Sequence, residues 1–239
     1  MPFVVKRAAD RHHERWPYEE SWTSFDARDP HDLFAARFEP LRSVREVRLP
    51  RLQRPQRPAP DADILTYVRR GAMVHADPVG RLDTVAAGFF LFTRAAQVIY
   101  NELVDAPAVA AHLIQFYFEP GGVRAPVPLD AQFVGFAERS GVLRVVASLN
   151  GEDGSMRIPH DVTVCSSLLR PGQHVVYALG PGRCAWLQVV VGKLRMGTLD
   201  LEKGDGVGIT NAHAVSVVAL THVEILLADL SCGSEAEFG

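Results

Sequence analysis

Nine histidines could ligate a metal or move a proton: His12, His13, His31, His75, His112, His160, His174, His213 and His222. No two of them stand in His-x-His or His-x-x-x-His spacing, so a site built from them has to be assembled from separate elements. The other concentration of chemistry is positive charge. Arg42, Arg45, Arg48, Arg51, Arg54 and Arg57 recur at every third residue, with Glu46 the single acid among them. Three residues per turn is the repeat of a polyproline II ribbon, which Pro50, Pro55, Pro58 and Pro60 favour from Arg51 onward. Such a ribbon would align several guanidinium groups along one edge, as an anion or nucleic-acid footprint. No aromatic residue interleaves the run to stack on bases, and a solvated basic loop is the simpler reading.

These groups sit in a chain of 239 residues, 47% hydrophobic and 22% charged, long enough for two modest domains or one large all-β body. The net charge of −3 hides an asymmetry: residues 1–70 carry 14 Lys+Arg against 11 Asp+Glu, and the remainder carries 11 against 17. Cys165, Cys184 and Cys232 are odd in number and lack Cys-x-x-Cys spacing, and the first residues show no signal-peptide apolar region. A reduced, cytoplasmic protein is expected. The apolar stretch "AVSVVALTHVEILLADL" is interrupted by His222 and Glu224 and is too short to span a bilayer.

What must position the chemistry is a set of short β-forming runs closed by glycine or proline. "ILTYV", "FFLFT" and "HLIQFYF" form a first group; "LRVVASL", "VTVCSSLL", "HVVYAL", "AWLQVVVG", "GVGIT" and "AVSVVAL" form a second. A short helical patch is expected over 30–38. The two groups echo each other. "ILTYVRRGAMV…RLDTVAAGFFLFT" and "WLQVVVGKLRM…TLDLEKGDGVGIT" align with Gly71 on Gly192 and Gly88 on Gly204. Duplicated short strands argue for two barrels, divided in the proline- and glycine-rich segment 119–132. The expected domains are 1–130 and 131–239, with the first 25 residues packed on the second barrel and "VEILLADL" closing its core.

Strand, glycine turn, strand, then "AAG" or "KGDG" and a further strand resembles the cupin barrel, and the whole chain resembles the pirin family of bicupins. The likeness is carried in order by "SWTSFDARDPHDLFAARFEPLRSVREVRLP", "ILTYVRRGAMVHADPVG", "HLIQFYFEP", "DGSMRIPHDVTV", "CAWLQVVVGKLRM", "KGDGVGI" and "VEILLADL". It implies an all-β bicupin fold. It also implies a divalent metal in the N-terminal barrel, held by a His-x-His pair, a third histidine and a glutamate, a set that leaves positions open for oxygen or substrate. Carried onto this chain, those positions are Arg57, Ala59, Tyr100 (or Asn101) and Glu102. A guanidinium repels a cation and a methyl group donates nothing, so Glu102 alone remains and no metal cofactor is expected.

Function is then read three ways. The first is a metal-free bicupin that binds a small molecule or a protein partner. In it Glu102 pairs with Arg57 across the vacated position, or Arg54 and Arg57 face an anionic ligand, with Tyr100, Gln115 and Tyr117 lining the pocket. Which face Tyr67, Gln115 and Tyr117 occupy depends on register, which one residue of slip reverses. The second is a dioxygenase of the quercetin dioxygenase type, with a ligand set improvised from Glu102, Tyr100 and His75. The third is a regulatory role, with the Arg42–Arg57 run as a minor route to nucleic acid. His75 and His160 are otherwise read as structural histidines.

Overall fold

The computed structural model describes residues 3–17, 19–26, 38–49, 61–76, 82–95, 110–121 and 130–232, and for 74–76, 82 and 83 the backbone alone. The strands in chain order are β1 (Phe3–Lys6), β2 (His12–Trp16), β3 (Glu19–Asp26), β4 (Leu41–Leu49), β5 (Asp63–Arg70), β6 (Ala72–Ala76), β7 (Leu82–Ala86), β8 (Phe89–Thr93), β9 (Ala111–Phe118) and β10 (Asp130–Phe133). A one-turn helix α1 (Phe136–Arg139) precedes β11 (Arg144–Ser148), β12 (Met156–Arg157), β13 (Val162–Leu169), β14 (His174–Ala178), β15 (Arg183–Val191), β16 (Lys193–Met196), β17 (Leu199–Glu202), β18 (Gly206–Ile209), β19 (Ala214–Ala219) and β20 (Val223–Ser231). Every run expected to be extended is a strand. The helical patch expected over 30–38 lies outside the described residues except for Phe38.

The chain forms two compact units. One takes Met1–Arg11, Ser24–Leu41 and Gly135–Gly239; the other takes His12–Thr23 and Arg42–Val134. The cut expected near residue 130 therefore falls after Val134, and the N-terminal quarter is shared between the units instead of following one of them. Of the first 25 residues, β1 pairs with β18, whereas β2 and β3 form a hairpin at the edge of the other unit's sheet.

Each unit is built on a seven-stranded sheet, and the two orders correspond position by position: β1-β18-β15-β20-β13-β11-β12 and β10-β8-β5-β9-β4-β3-β2. Registers correspond as well. Ile64 stands between Thr93 and Tyr117 as Ala185 stands between Ile209 and Asp229, and Thr66 between Leu91 and Gln115 as Leu187 between Val207 and Leu227. Both long central strands carry a bulge just before their glycine, between Val68 and Arg70 and between Val189 and Val191. The glycines aligned from sequence share their backbone: φ is +74° and +81° at Gly71 and Gly192, and +92° and +90° at Gly88 and Gly204, a region that favours glycine. The Gly88 N–H donates to the Val68 carbonyl and the Gly204 N–H to the Val189 carbonyl, both at 2.8 Å. The internal echo is thus a repeat of one folded unit.

Burial explains the composition of the strands. β15 and β20 are covered on both faces and read as nearly continuous apolar runs, while β14 and β19 alternate exposed and buried residues because their sheet, ordered β14-β19-β16-β17, is solvated on one side. Its buried side, with Val175, Leu194, Leu201 and Val217, closes on Leu187, Val207 and Leu227 of the large sheet. In the other unit Val47, Leu49, Val68, Met73, Val85, Leu91 and Leu113 make the corresponding core. "VEILLADL" lies in β20, between β13 and β15 in the middle of its sheet.

Candidate functional site

Val68 and Leu113 point into the N-terminal core, and side chains two residues apart on a strand share a face. Thr66, Gln115 and Tyr117 therefore line the same interior face, which settles the register question that sequence left open. Gln115 Nε2 donates to Thr66 Oγ1 at 3.2 Å, and the Tyr117 hydroxyl donates to Gln115 Oε1 at 3.0 Å. Tyr67 belongs to the opposite face, where its ring stacks on Phe90.

Arg45 completes this wall. The interior positions of β4 are alternate residues ending in Val47 and Leu49, so Ser43 and Arg45 face inward with them. The Arg45 guanidinium donates to Ser21 Oγ at 2.9 Å and to Glu19 Oε1 at 3.3 Å, approaches Glu14 at 3.7 Å, and lies 5.9 Å from the centre of the Tyr117 ring. Glu19 is buried, and a buried carboxylate is tolerable beside such a cation. Arg45 Nε and Ser43 Oγ are buried with no hydrogen-bond partner among the described residues. The floor of this face is apolar and one end is polar.

The C-terminal unit provides an internal control. Where the N-terminal face has Thr66, Gln115 and Thr93, the same register positions hold Leu187, Leu227 and Ile209. Asp229, at the position of Tyr117, is closed off by a saturated clasp. It accepts from the Tyr177 hydroxyl at 2.9 Å and from Arg183 Nε at 2.7 Å, while Arg183 Nη1 and Ser231 Oγ donate to Asp161 at 2.8 and 2.6 Å. Burial pushes the Cys165 thiol from about 9 up to about 12, and burial chiefly drives the Tyr177 hydroxyl well above its usual range. Both groups ionise more easily in the unfolded chain. The stability that the neutral Cys165 thiol allows is complete below about pH 9 and is lost between about pH 9 and 12, by up to about 1.4 kcal/mol per pH unit, and Tyr177 adds a loss that begins above about pH 10. Urea unfolding at about pH 10.5 should show a lower midpoint than at about pH 8, with Cys165→Ala removing part of the difference; equal midpoints would contradict this burial.

The arginine run does not form one ribbon edge over its first half. Arg42, Arg45 and Arg48 lie on β4, where side chains alternate, and each is engaged with an acid: Arg42 with Glu119 at 3.0 Å, Arg45 with Glu19, and Arg48 with Glu20 at 3.8 Å while it covers the Trp22 ring at 4.7 Å. Extended backbone defeats a period of three because its own period is two. Arg51, Arg54 and Arg57 lie outside the described residues, as do Ala59, Tyr100, Asn101 and Glu102, so the Glu102–Arg57 pair does too. His75 is on β6 opposite Asp83. His160 is buried, and its carbonyl accepts from the Val162 N–H. His112 Nε2 meets Glu46 Oε1 at 2.8 Å on the face opposite the wall. Among the described residues no group of three or more His, Cys, Asp or Glu is placed to hold a metal ion. No helix of the described residues is long and apolar enough to cross a membrane.

Of the wall residues, Gln115 and Tyr117 were legible as candidates; Arg45, Glu19, Ser21 and Thr66 were not. A signal existed. "L-x-S-x-R-x-V-x-L" over 41–49 is an alternating strand with its arginine on the apolar side.

Two units of matching strand order, register and glycine turns define a bicupin, two cupin folds in one chain. Residues 145–230 match the quercetinase C-terminal cupin domain. Quercetin 2,3-dioxygenase of Escherichia coli K12 is 26% identical over 230 residues, 95% of this chain and 97% of that protein. A pirin-like protein of Caulobacter vibrioides is 27% identical over 170 residues, 71% and 73% of the two chains. The crystal structure of Escherichia coli YhhW matches with a TM-score of 0.85 at 24% identity, over 96% of this chain and 97% of that one. The nickel(II) complex of the same bacterial pirin matches with a TM-score of 0.81 at 25% identity, over 96% and 99%. The chain is similar to the pirin family over nearly its whole length.

Proposed function

We propose that the N-terminal cupin binds a small uncharged, hydroxyl-bearing molecule against the Thr66–Gln115–Tyr117–Arg45 wall without a resident metal. The observation that carries this reading is the contrast with the C-terminal unit. At equal register, one fold fills its interior with Leu187 and Leu227 and the other keeps hydrogen-bonding side chains. Ligand sites are largely apolar with a few convergent polar groups, and this face has that make-up. Glu19 balances the charge of Arg45, so the wall favours a neutral guest over the anion expected from the arginine run. The metal-free part rests on donor chemistry: at the positions that the resemblance assigns to the metal ligands, Arg57 is a fixed cation and the Ala59 side chain has no donor atom, a poor fit to a divalent ion. A regulatory role is compatible with the same site, the ligand then serving as the signal.

The second reading, a metal-dependent dioxygenase, draws support from the names of its relatives and from the nickel(II) bound by the bacterial pirin. Elemental analysis of untagged protein, with calorimetric titration of quercetin as the probe, separates the two. On the first reading, metal stays below about 0.1 equivalent, quercetin binds saturably and is not consumed, and the Thr66→Leu/Gln115→Leu double variant weakens binding about tenfold or more while remaining folded. Stoichiometric metal with oxygen uptake establishes the second. Equal binding by the double variant, or no binding by either protein, overturns the proposed wall.

A further inference from the structure

Cys184 lies near the start of β15 and Cys232 follows the end of β20, two neighbouring strands in the register Arg183↔Ser231 and Cys184↔Leu230. The ladder continues one step further, the Cys232 N–H donating to the Gly182 carbonyl at 3.0 Å. By strand alternation Cys232 projects to the side of Leu230, the residue opposite Cys184. The Cys184 thiol runs along this same edge: its Sγ donates to the Ser231 carbonyl at 3.5 Å and lies 3.8 Å from that of Leu230. Burial first, and then the neighbouring Cys232 thiol, holds the Cys184 thiol above its usual range. Cys184 is buried, Cys232 is half-buried, and neither is in a disulfide. Cys165 packs in the barrel interior beside Leu187 and Leu227.

We propose that Cys184 and Cys232 are an oxidation-sensitive pair that closes to an intramolecular disulfide, tying the end of β20 to the start of β15. Hydrogen peroxide is the oxidant. The sulfur of Cys232, the less buried residue of the two, forms an S–O bond as the peroxide O–O bond breaks, giving a sulfenic acid and one water. The Cys184 sulfur then forms the S–S bond, the S–O bond of Cys232 breaks, and the departing hydroxide takes the Cys184 proton as a second water. Two thiols and one peroxide become one disulfide and two waters. Cys232 stands one residue past the strand, where a single ladder bond holds it, and that freedom lets its sulfur reach disulfide geometry. The buried Cys184 is shielded from direct oxidation and reacts through its neighbour. The pair is independent of the ligand reading above.

The full-length protein, titrated with hydrogen peroxide and digested without reductant, should yield a peptide joining Cys184 to Cys232, two hydrogens lighter than the separate peptides. Free thiols should fall from three to one and return to three with dithiothreitol. Cys232→Ser, a change at a half-buried position, should keep Cys184 reduced at the same dose. Oxidation of Cys232 to sulfinic acid with Cys184 still free, a link through Cys165 or between two chains, or loss of the Cys184 thiol in Cys232→Ser would overturn the proposal.

Discussion

Replacing Arg139 by alanine lowers the stability of the C-terminal unit by about 3–5 kcal/mol, the loss expected when one partner of a buried ion pair is removed. Arg139 ends the single turn of α1, whose start is held by the Gly135 N–H donating to Glu138 Oε2 at 2.7 Å. Its guanidinium donates to Glu224 Oε1 at 3.3 Å and Ser166 Oγ at 3.2 Å, with arginine 5% and glutamate 6% exposed. Truncation leaves a desolvated carboxylate on β20, the strand on which the sheet is centred. The energy lies in the stranded charge more than in the attraction. Arg139→Met combined with Glu224→Leu, which removes both charges at similar volume, should therefore recover most of the loss. Urea unfolding of the single and double variants checks this; a double variant no better than Arg139→Ala would show that the site depends on the pair itself.

Gly192→Ala has an effect of similar size from a different cause, about 3 kcal/mol or more. The glycine sits between β15 and β16 at φ +81°, and a Cβ there would fall on the His222 carbonyl oxygen, with Thr221 Oγ1 at 2.7 Å. Backbone cannot swing aside as a side-chain tip can. At the equivalent Gly71 the nearest atom, the Ala110 carbonyl oxygen, is at 2.9 Å, so Gly71→Ala should cost less. Thermal and urea midpoints of the two variants give the comparison. A Gly71 variant the weaker of the two would mean that the repeat's turns are not held as described.

The repeat itself was open to reading because its signals are local. A glycine at positive φ and a bulge just before it are demanded by a few adjacent residues, and period-two alternation needs one strand and one solvent boundary. Gly71 with Gly192 and Gly88 with Gly204 could thus be aligned from letters alone. The N-terminal residues resisted the same treatment. "HHERWPYEESWTSF" carries charges on both faces of a hairpin, and its pairing partner, β4, begins only at Leu41.

The amino-acid sequence by itself determined the all-β class, the duplicated cupin unit and the resemblance to the pirin family. The tertiary structure alone decided which arginine turns inward, that Gln115 and Tyr117 share a face with Thr66, and that Cys184 and Cys232 lie at the same end of neighbouring strands. Such groupings join side chains that the chain keeps far apart, Glu19 with Arg45 or Thr66 with Gln115. They are fixed by strand register across a sheet, and register is chosen by the packing of the whole face, which no short window of residues contains.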